Sequence, residues 1–161
     1  MKFWKRHIRT WMNLWPPFAG AGIRVKHIAS DWSAVDVEMK LRFWNSNYVG
    51  THYGGSLYSM TDPFYMLMLI EKLGREYTVW DKSAAIRFRR PGRGRVTAHF
   101  RISQEQVDGI REAVTSQGKT EATFTVEVKD EGTEVVAIVD KVLHIRRNNQ
   151  LRGPTSQSSL P

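Results

Sequence analysis

The sequence predicts an α+β fold in which one long buried helix lies against an antiparallel sheet, and three stretches carry that expectation. Val35, Val37, Met39, Leu41 and Phe43 alternate with Asp36, Glu38, Lys40 and Arg42, a period of two that turns one strand face to a core and the other to solvent. Ser56 to Leu73 is almost wholly apolar, has the length of a helix rather than a strand, and is closed by Gly74, the residue type that most readily ends a helix. After it the chain reads largely as alternating strands joined by tight turns.

Residues 1–17 come first. Lys2, Lys5, Arg6 and Arg9 interleave with Phe3, Trp4, Ile8, Trp11 and Trp15 at roughly helical spacing, and Pro16-Pro17 should end that amphipathic helix. Its positive start is that of a signal peptide, without the continuous apolar stretch or small-residue cleavage site. Such a helix can cap the core, make an oligomer contact, or lie on a membrane surface.

Residues 18–147 should form the main domain. Ile23 to Ile28 is its first strand and Val35 to Phe43 its second; Asn45 to Gly55 is rich in turn formers and is a loop. In the apolar segment, Leu57, Met60, Phe64, Leu67 and Met68 make one stripe, while Tyr58, Tyr65, Met66 and Leu69 cover most of the rest. One sheet face cannot wrap a helix that is apolar nearly all round, so at least a homodimer is expected, with a homotetramer as the larger alternative. Pro63 removes a backbone donor and should kink the helix.

Next, Ala84, Ile86 and Phe88 alternate with Ser83, Arg87 and Arg89, Pro91-Gly92-Arg93-Gly94 turns the chain, and Val96, Ala98, Phe100 and Ile102 alternate again. Gln104 to Gln117 fits either a short helix or an excursion of the sheet. Ala122, Phe124, Val126 and Val128 make another strand, Asp130 to Thr133 a hairpin turn, and Val135 to Ile145 a long final strand. Residues 148–161 are polar and Ser/Gln-rich, the composition of a disordered tail.

With 161 residues the chain is the size of one domain, and its net charge of +8 points to an anionic partner. The basic residues are scattered and match no nucleic-acid-binding motif, which favours a phosphorylated small molecule or an acidic surface over nucleic acid. There is no cysteine. Disulfides, thiolate catalysis and thiolate metal sites are therefore excluded, and a cytoplasmic location is expected. No charge-free stretch is long enough to span a bilayer.

Chemistry concentrates between Asn47 and Asp62. A Gly-Gly pair at the entry to a buried helix lets backbone approach a ligand closely, and free N–H groups at a helix start can hold a developing oxyanion. Asp62, seven residues after Gly55, is a carboxylate inside an apolar segment, where it must find a partner or shift its pKa upward. Asn47, Gly50, Gly54-Gly55 and Asp62, in this loop-helix setting, resemble the hotdog-fold acyl-coenzyme A thioesterases of the phenylacetate-pathway type. The resemblance covers most of the chain, from about Ile23 to Ile145.

What the resemblance implies is an acyl-coenzyme A thioesterase with active sites shared between subunits. Gly55 would supply the amide that polarises the thioester carbonyl, Asp62 would activate water or attack the carbonyl carbon, and Asn47 would orient substrate or water. Gly54, His52, Tyr53 and Ser59 would contact the substrate. Two departures stand out: Tyr53 occupies the slot before Gly-Gly where the family has histidine, with His52 one residue earlier, and Pro63 directly follows the acidic residue. Arg87, Arg89 and Arg90, near the Pro91-Gly92 turn, suit the phosphates of coenzyme A. Asp81 and Ser83 are further polar candidates, with a surface pair between Asp81 and Lys82 as the simpler account. No metal or cofactor is expected beyond the coenzyme A of the substrate itself. Other readings are a non-catalytic protein that binds acyl-coenzyme A or an acyl carrier, and a dehydratase-type relative.

Overall fold

The alternating stretches pair as six antiparallel strands around a helical layer. The structure, a computed structural model, describes residues 2–148, with side chains from His7 onward; all but the first residue of the expected tail lies outside the described residues. Helices α1 (Lys2–Leu14) and α2 (Pro16–Ala21) precede strands β1 (Ile23–Ile28) and β2 (Ala34–Lys40), and α3 (Gly54–Ser59) and α4 (Phe64–Leu73) follow a long loop. The chain then runs through β3 (Tyr77–Phe88), β4 (Arg95–Arg101), α5 (Gln104–Gln117), β5 (Lys119–Asp130) and β6 (Val135–Arg147). The sheet order is β1-β2-β4-β5-β6-β3.

Period-two patterning explains the sheet centre. Val35, Val37 and Met39 of β2 face Phe100, Ala98 and Val96 of β4, and all six are buried. Against this face lies an aromatic chain. Phe64 packs on Phe100 with centroids 4.9 Å apart, Tyr65 meets Phe100 edge-on and stacks on Phe124 at 4.6 Å, and Phe18 of α2 joins at Phe64. These rings tie α4 to the middle of the sheet.

Several expectations need correction. β2 stops at Lys40, because Asn45 folds the chain back: its Oδ1 accepts from the Arg42 amide at 2.7 Å, and its Nδ2 donates to the carbonyls of Ala21 and Lys40. Phe43, expected inside, is 89% exposed. Pro16-Pro17 ends α1 but also opens α2, since prolines at the first two helical positions remove donors that had no partner. The segment 104–117 is a helix, α5, held at its start by Ser103 and Gln106 in a reciprocal capping box.

The long central helix is two helices. Pro63 has no amide to continue the ladder, so Asp62 bonds back three residues to the Ser59 carbonyl at 3.4 Å, and the ladder resumes from the Pro63 carbonyl to Leu67. The turn 60–63 thus lifts Asp62 out of helical geometry. β3 begins at Tyr77, earlier than expected, and its alternation fails: Ser83, Ala84 and Ala85 are all exposed. It is an edge strand with β6 as its neighbour, and both faces of residues 82–85 are exposed.

Candidate active site

Loop 41–53 is built by its own polar side chains. Asn47 closes it: Oδ1 accepts from the amides of Val49 (3.1 Å) and Thr51 (3.0 Å), and Nδ2 donates to the Thr51 hydroxyl at 2.9 Å. This is the turn chemistry expected of Asn. His52 is buried, its amide donates to the Gly92 carbonyl, and its Nε2 lies 3.1 Å from the Gly94 carbonyl. Burial pushes the His52 pKa down, so a neutral ring donates through Nε2–H, and Nδ1 is left buried without a partner. The histidine therefore staples the loop to the Pro91–Gly94 turn.

Two tight glycines mark the start of α3. An added Cβ at Gly54 would come within 2.9 Å of the Phe88 ring, and one at Gly55 within 2.4 Å of the Tyr53 ring. Gly54 and Gly55 occupy the first positions of α3, where amides have no acceptor inside the helix. Ser59 donates its hydroxyl to the Gly55 carbonyl at 2.8 Å. Beside this entry opens a cleft of about 430 Å³ whose lining includes Asn47, His52, Gly54, Phe88, Arg89 and Arg90. Five of the residues singled out in the sequence thus meet there.

Asp62 belongs to a second cluster. Its Oδ1 accepts from Lys141 Nζ at 3.0 Å, and the same Nζ lies 3.1 Å from Asp81 Oδ2. The Lys141 side chain is completely buried, whereas that of Asp62 is 47% exposed and that of Asp81 26%. Lys141 also sits 5.6 Å over the Tyr58 ring. Burial acts against the Lys141 cation, but its hydrogen bonds to Asp62 and Asp81 outweigh that and hold its pKa above the ordinary lysine value. Burial pushes the Asp81 carboxyl up against the opposing pull of Lys141. It also raises Tyr58, reinforced by a hydrogen bond with Asp62.

The local reason is the register of β3 and β6. Val139, Lys141 and Leu143 all point to the helical layer, and a bulge between Asp81 and Ser83 turns Asp81 to that side while Lys82 pairs with Glu121 instead. Asp81 and Lys82 are therefore not partners of each other. Of the arginines, Arg87 pairs with Asp140, while Arg89 and Arg90 both line the cleft, Arg90 with its guanidinium on Glu134 at 2.7 Å. Lys141 was missed in the sequence, although a lysine inside the alternating row Val139, Leu143 and Ile145 was there to be read.

Comparison with known proteins supports the fold. A probable thioesterase of unknown function from Pseudomonas aeruginosa superposes with a TM-score of 0.77 at 21% identity, covering 92% of this chain and 97% of its own. A thioesterase from Haemophilus influenzae gives 0.65 at 12% identity over 92% and 94%. A mutant of the phenylacetic acid degradation protein of Thermus thermophilus gives 0.56 at 24% identity over 80% and 97%. The chain has the hotdog fold of these structures. No curated protein matches it. The model of the family DUF4442, described as a domain of unknown function, matches residues 5–145, and the chain belongs to that family.

Proposed function

We propose that this protein hydrolyses acyl-coenzyme A thioesters, with Asp62 as the acidic residue. The observation that carries the reading is Asp62 itself: a half-exposed carboxylate at the break of the central helix, with one oxygen bonded to a buried cation. A carboxylate held in this way can take a proton from water or attack a carbonyl carbon, and it has room to meet a substrate. The Gly55 amide polarises the thioester carbonyl, Asn47 and His52 hold the loop that shapes the cleft, and Tyr53 offers a hydroxyl beside Gly55. Arg89 and Arg90 face the phosphates of coenzyme A. The structural likeness to proteins named thioesterases supports the same reading.

The working unit in this proposal is a homodimer or a homotetramer in the cytoplasm. β3 supports it, because an edge strand whose residues 83–85 are exposed invites pairing with a second copy. Peripheral membrane contact would fall to α1, where Trp11 and Leu14 are exposed while Met12 and Asn13 hold the helix to β1. A binding protein without turnover is the second reading. Two observations favour it: the polar atoms of Asn47 are already engaged within the loop, and Asp62 is not part of the cleft lining.

Free thiol release from acyl-coenzyme A thioesters of increasing chain length decides between them. Asp62→Asn should reduce turnover by about 100-fold or more, the scale of a lost general base, while the protein stays folded and assembled. Unchanged turnover would remove Asp62 from the mechanism. Saturable binding with no thiol release would favour the binding protein.

A further inference from the structure

Lys141 lies on β6, on the opposite layer from the helical break that carries Asp62, and 79 residues separate them in sequence. Its Nζ reaches two carboxylates at once, Asp62 at 3.0 Å and Asp81 at 3.1 Å, from a side chain with no solvent exposure. A purely structural lysine at an inward-facing strand position is an unfavourable choice, since taking a cation out of water opposes folding unless the charge is paired. Either carboxylate alone would complete an ion pair. The second makes the cluster net negative when all three groups are charged, and it needs a β-bulge to bring Asp81 inward. Asp81 keeps its Oδ1 buried and without a partner, so it is not placed for its own hydrogen bonding.

We propose that Lys141 is a positioning residue for Asp62, and that Asp81 is the counter-charge that tempers it. This rests on the reading of Asp62 as the reactive carboxylate. Lys141 engages Asp62 through Oδ1, and the Asp62 side chain keeps 47% of its surface exposed toward water or substrate. Asp81 shares the cation, so the field of Lys141 is divided between two carboxylates and does not fall on Asp62 alone. Among the described residues, the titratable groups facing Asp62 are Tyr58 from α3, Asp81 from β3 and Lys141 from β6.

The two partners should act on Asp62 in opposite senses, which a role in stability alone would not produce. In Lys141→Met the attracting cation is gone and Asp81 remains, so the acidic limb of kcat/KM should move up by about one pH unit or more. In Asp81→Asn, Lys141 serves Asp62 alone, and the limb should move down. Asp81→Asn keeps the buried lysine paired, so it provides a test even where Lys141→Met does not fold. The carbon-13 carboxyl titration of Asp62, assigned by its loss in Asp62→Asn, gives a second readout without turnover. Opposed shifts in that titration with no thiol release would overturn the thioesterase reading and leave the positioning role standing. An Asp81→Asn protein that titrates and turns over as the wild type does would overturn the positioning role.

Discussion

Phe43 and Phe100 occupy equivalent places in the sequence, each on the apolar side of an alternating stretch, yet the structure assigns them opposite energetic roles. Phe100 has no exposed surface, and its ring meets Phe64 at 4.9 Å and Tyr65 at 5.2 Å. Truncating a buried phenylalanine to alanine costs about 3–5 kcal/mol, from lost transfer energy and the cavity left behind. Lost aromatic contacts act in the same direction, so about 4 kcal/mol is expected for Phe100→Ala. With a urea slope of about 2 kcal/mol per molar for a domain of this size, the unfolding midpoint should fall by about 2 M at unchanged slope. Phe43 is 89% exposed, and Phe43→Ala should change stability by less than about 0.5 kcal/mol. Urea unfolding followed by circular dichroism, with both variants beside the wild type, reads the difference directly. A loss below about 1.5 kcal/mol for Phe100→Ala, or a comparable loss in both, would refute the packing of α4 on β4 as described.

Two glycines of α5 should respond with opposite signs. Gly109 lies inside the helix with open space where a Cβ would go, so Gly109→Ala should stabilise by about 0.5–1 kcal/mol. Gly118 closes the helix at φ +76° with equal space around it, so Gly118→Ala should destabilise by about 1 kcal/mol through backbone strain alone. Melting temperatures moving the same way in both would contradict this. Burial alone would raise the Asp36 pKa, but hydrogen bonds from His99 at 2.8 Å and Arg101 at 2.7 Å outweigh it and hold the carboxyl below its usual range. Its contribution is present above the unfolded value of about 3.9 and is lost as pH falls through the lower folded value. Asp36→Asn should therefore be less stable than wild type at neutral pH, with the gap closing in strong acid; a gap independent of pH would show that the charge is not the cause.

Much of the fold was legible because its signals are local. β2 and β4 follow from alternation alone, and their six facing residues meet as the pattern demands. Pro63 announced a kink in the central helix and disfavours helical geometry at the residue before it, Asp62, which stands in the turn between α3 and α4. The segment 104–117 stayed ambiguous because its apolar residues are few, yet Val107, Ile110 and Val114 are its buried ones. Their spacing of three and four, behind Ser103 and Gln106, is a helix signal. β2 was overrun at its end because the alternation continues through Phe43, and only Asn45, reaching back to Ala21 across the fold, decides where the strand stops. The failed alternation of β3 has a different cause. β3 lies at the sheet edge with β6 alone beside it, and residues 82–85 are exposed on both faces, so burial imposes no period of two there.

The site divides along the same line. Gly54, Gly55, Asn47 and Asp62 lie within one short stretch, so a loop-helix pattern could collect them. Asp81 and Lys141 come from strands that are neighbours in the sheet but far apart in sequence, and the bulge that turns Asp81 inward leaves no mark on composition. Lys141 was nevertheless deducible. It interrupts an inward-facing row of Ala137, Val139, Leu143 and Ile145, every one of them buried, and a buried cation must be paired or it neutralises. Asp62 interrupts an apolar helical segment with the opposite charge, and although its side chain is half-exposed it is one of the partners that the buried cation needs. A charge misplaced in each of two layers that must pack together is better explained by one pair than by two separate errors. Physical accounting of buried charge, carried across elements, therefore predicts the contact that a search within a single motif misses.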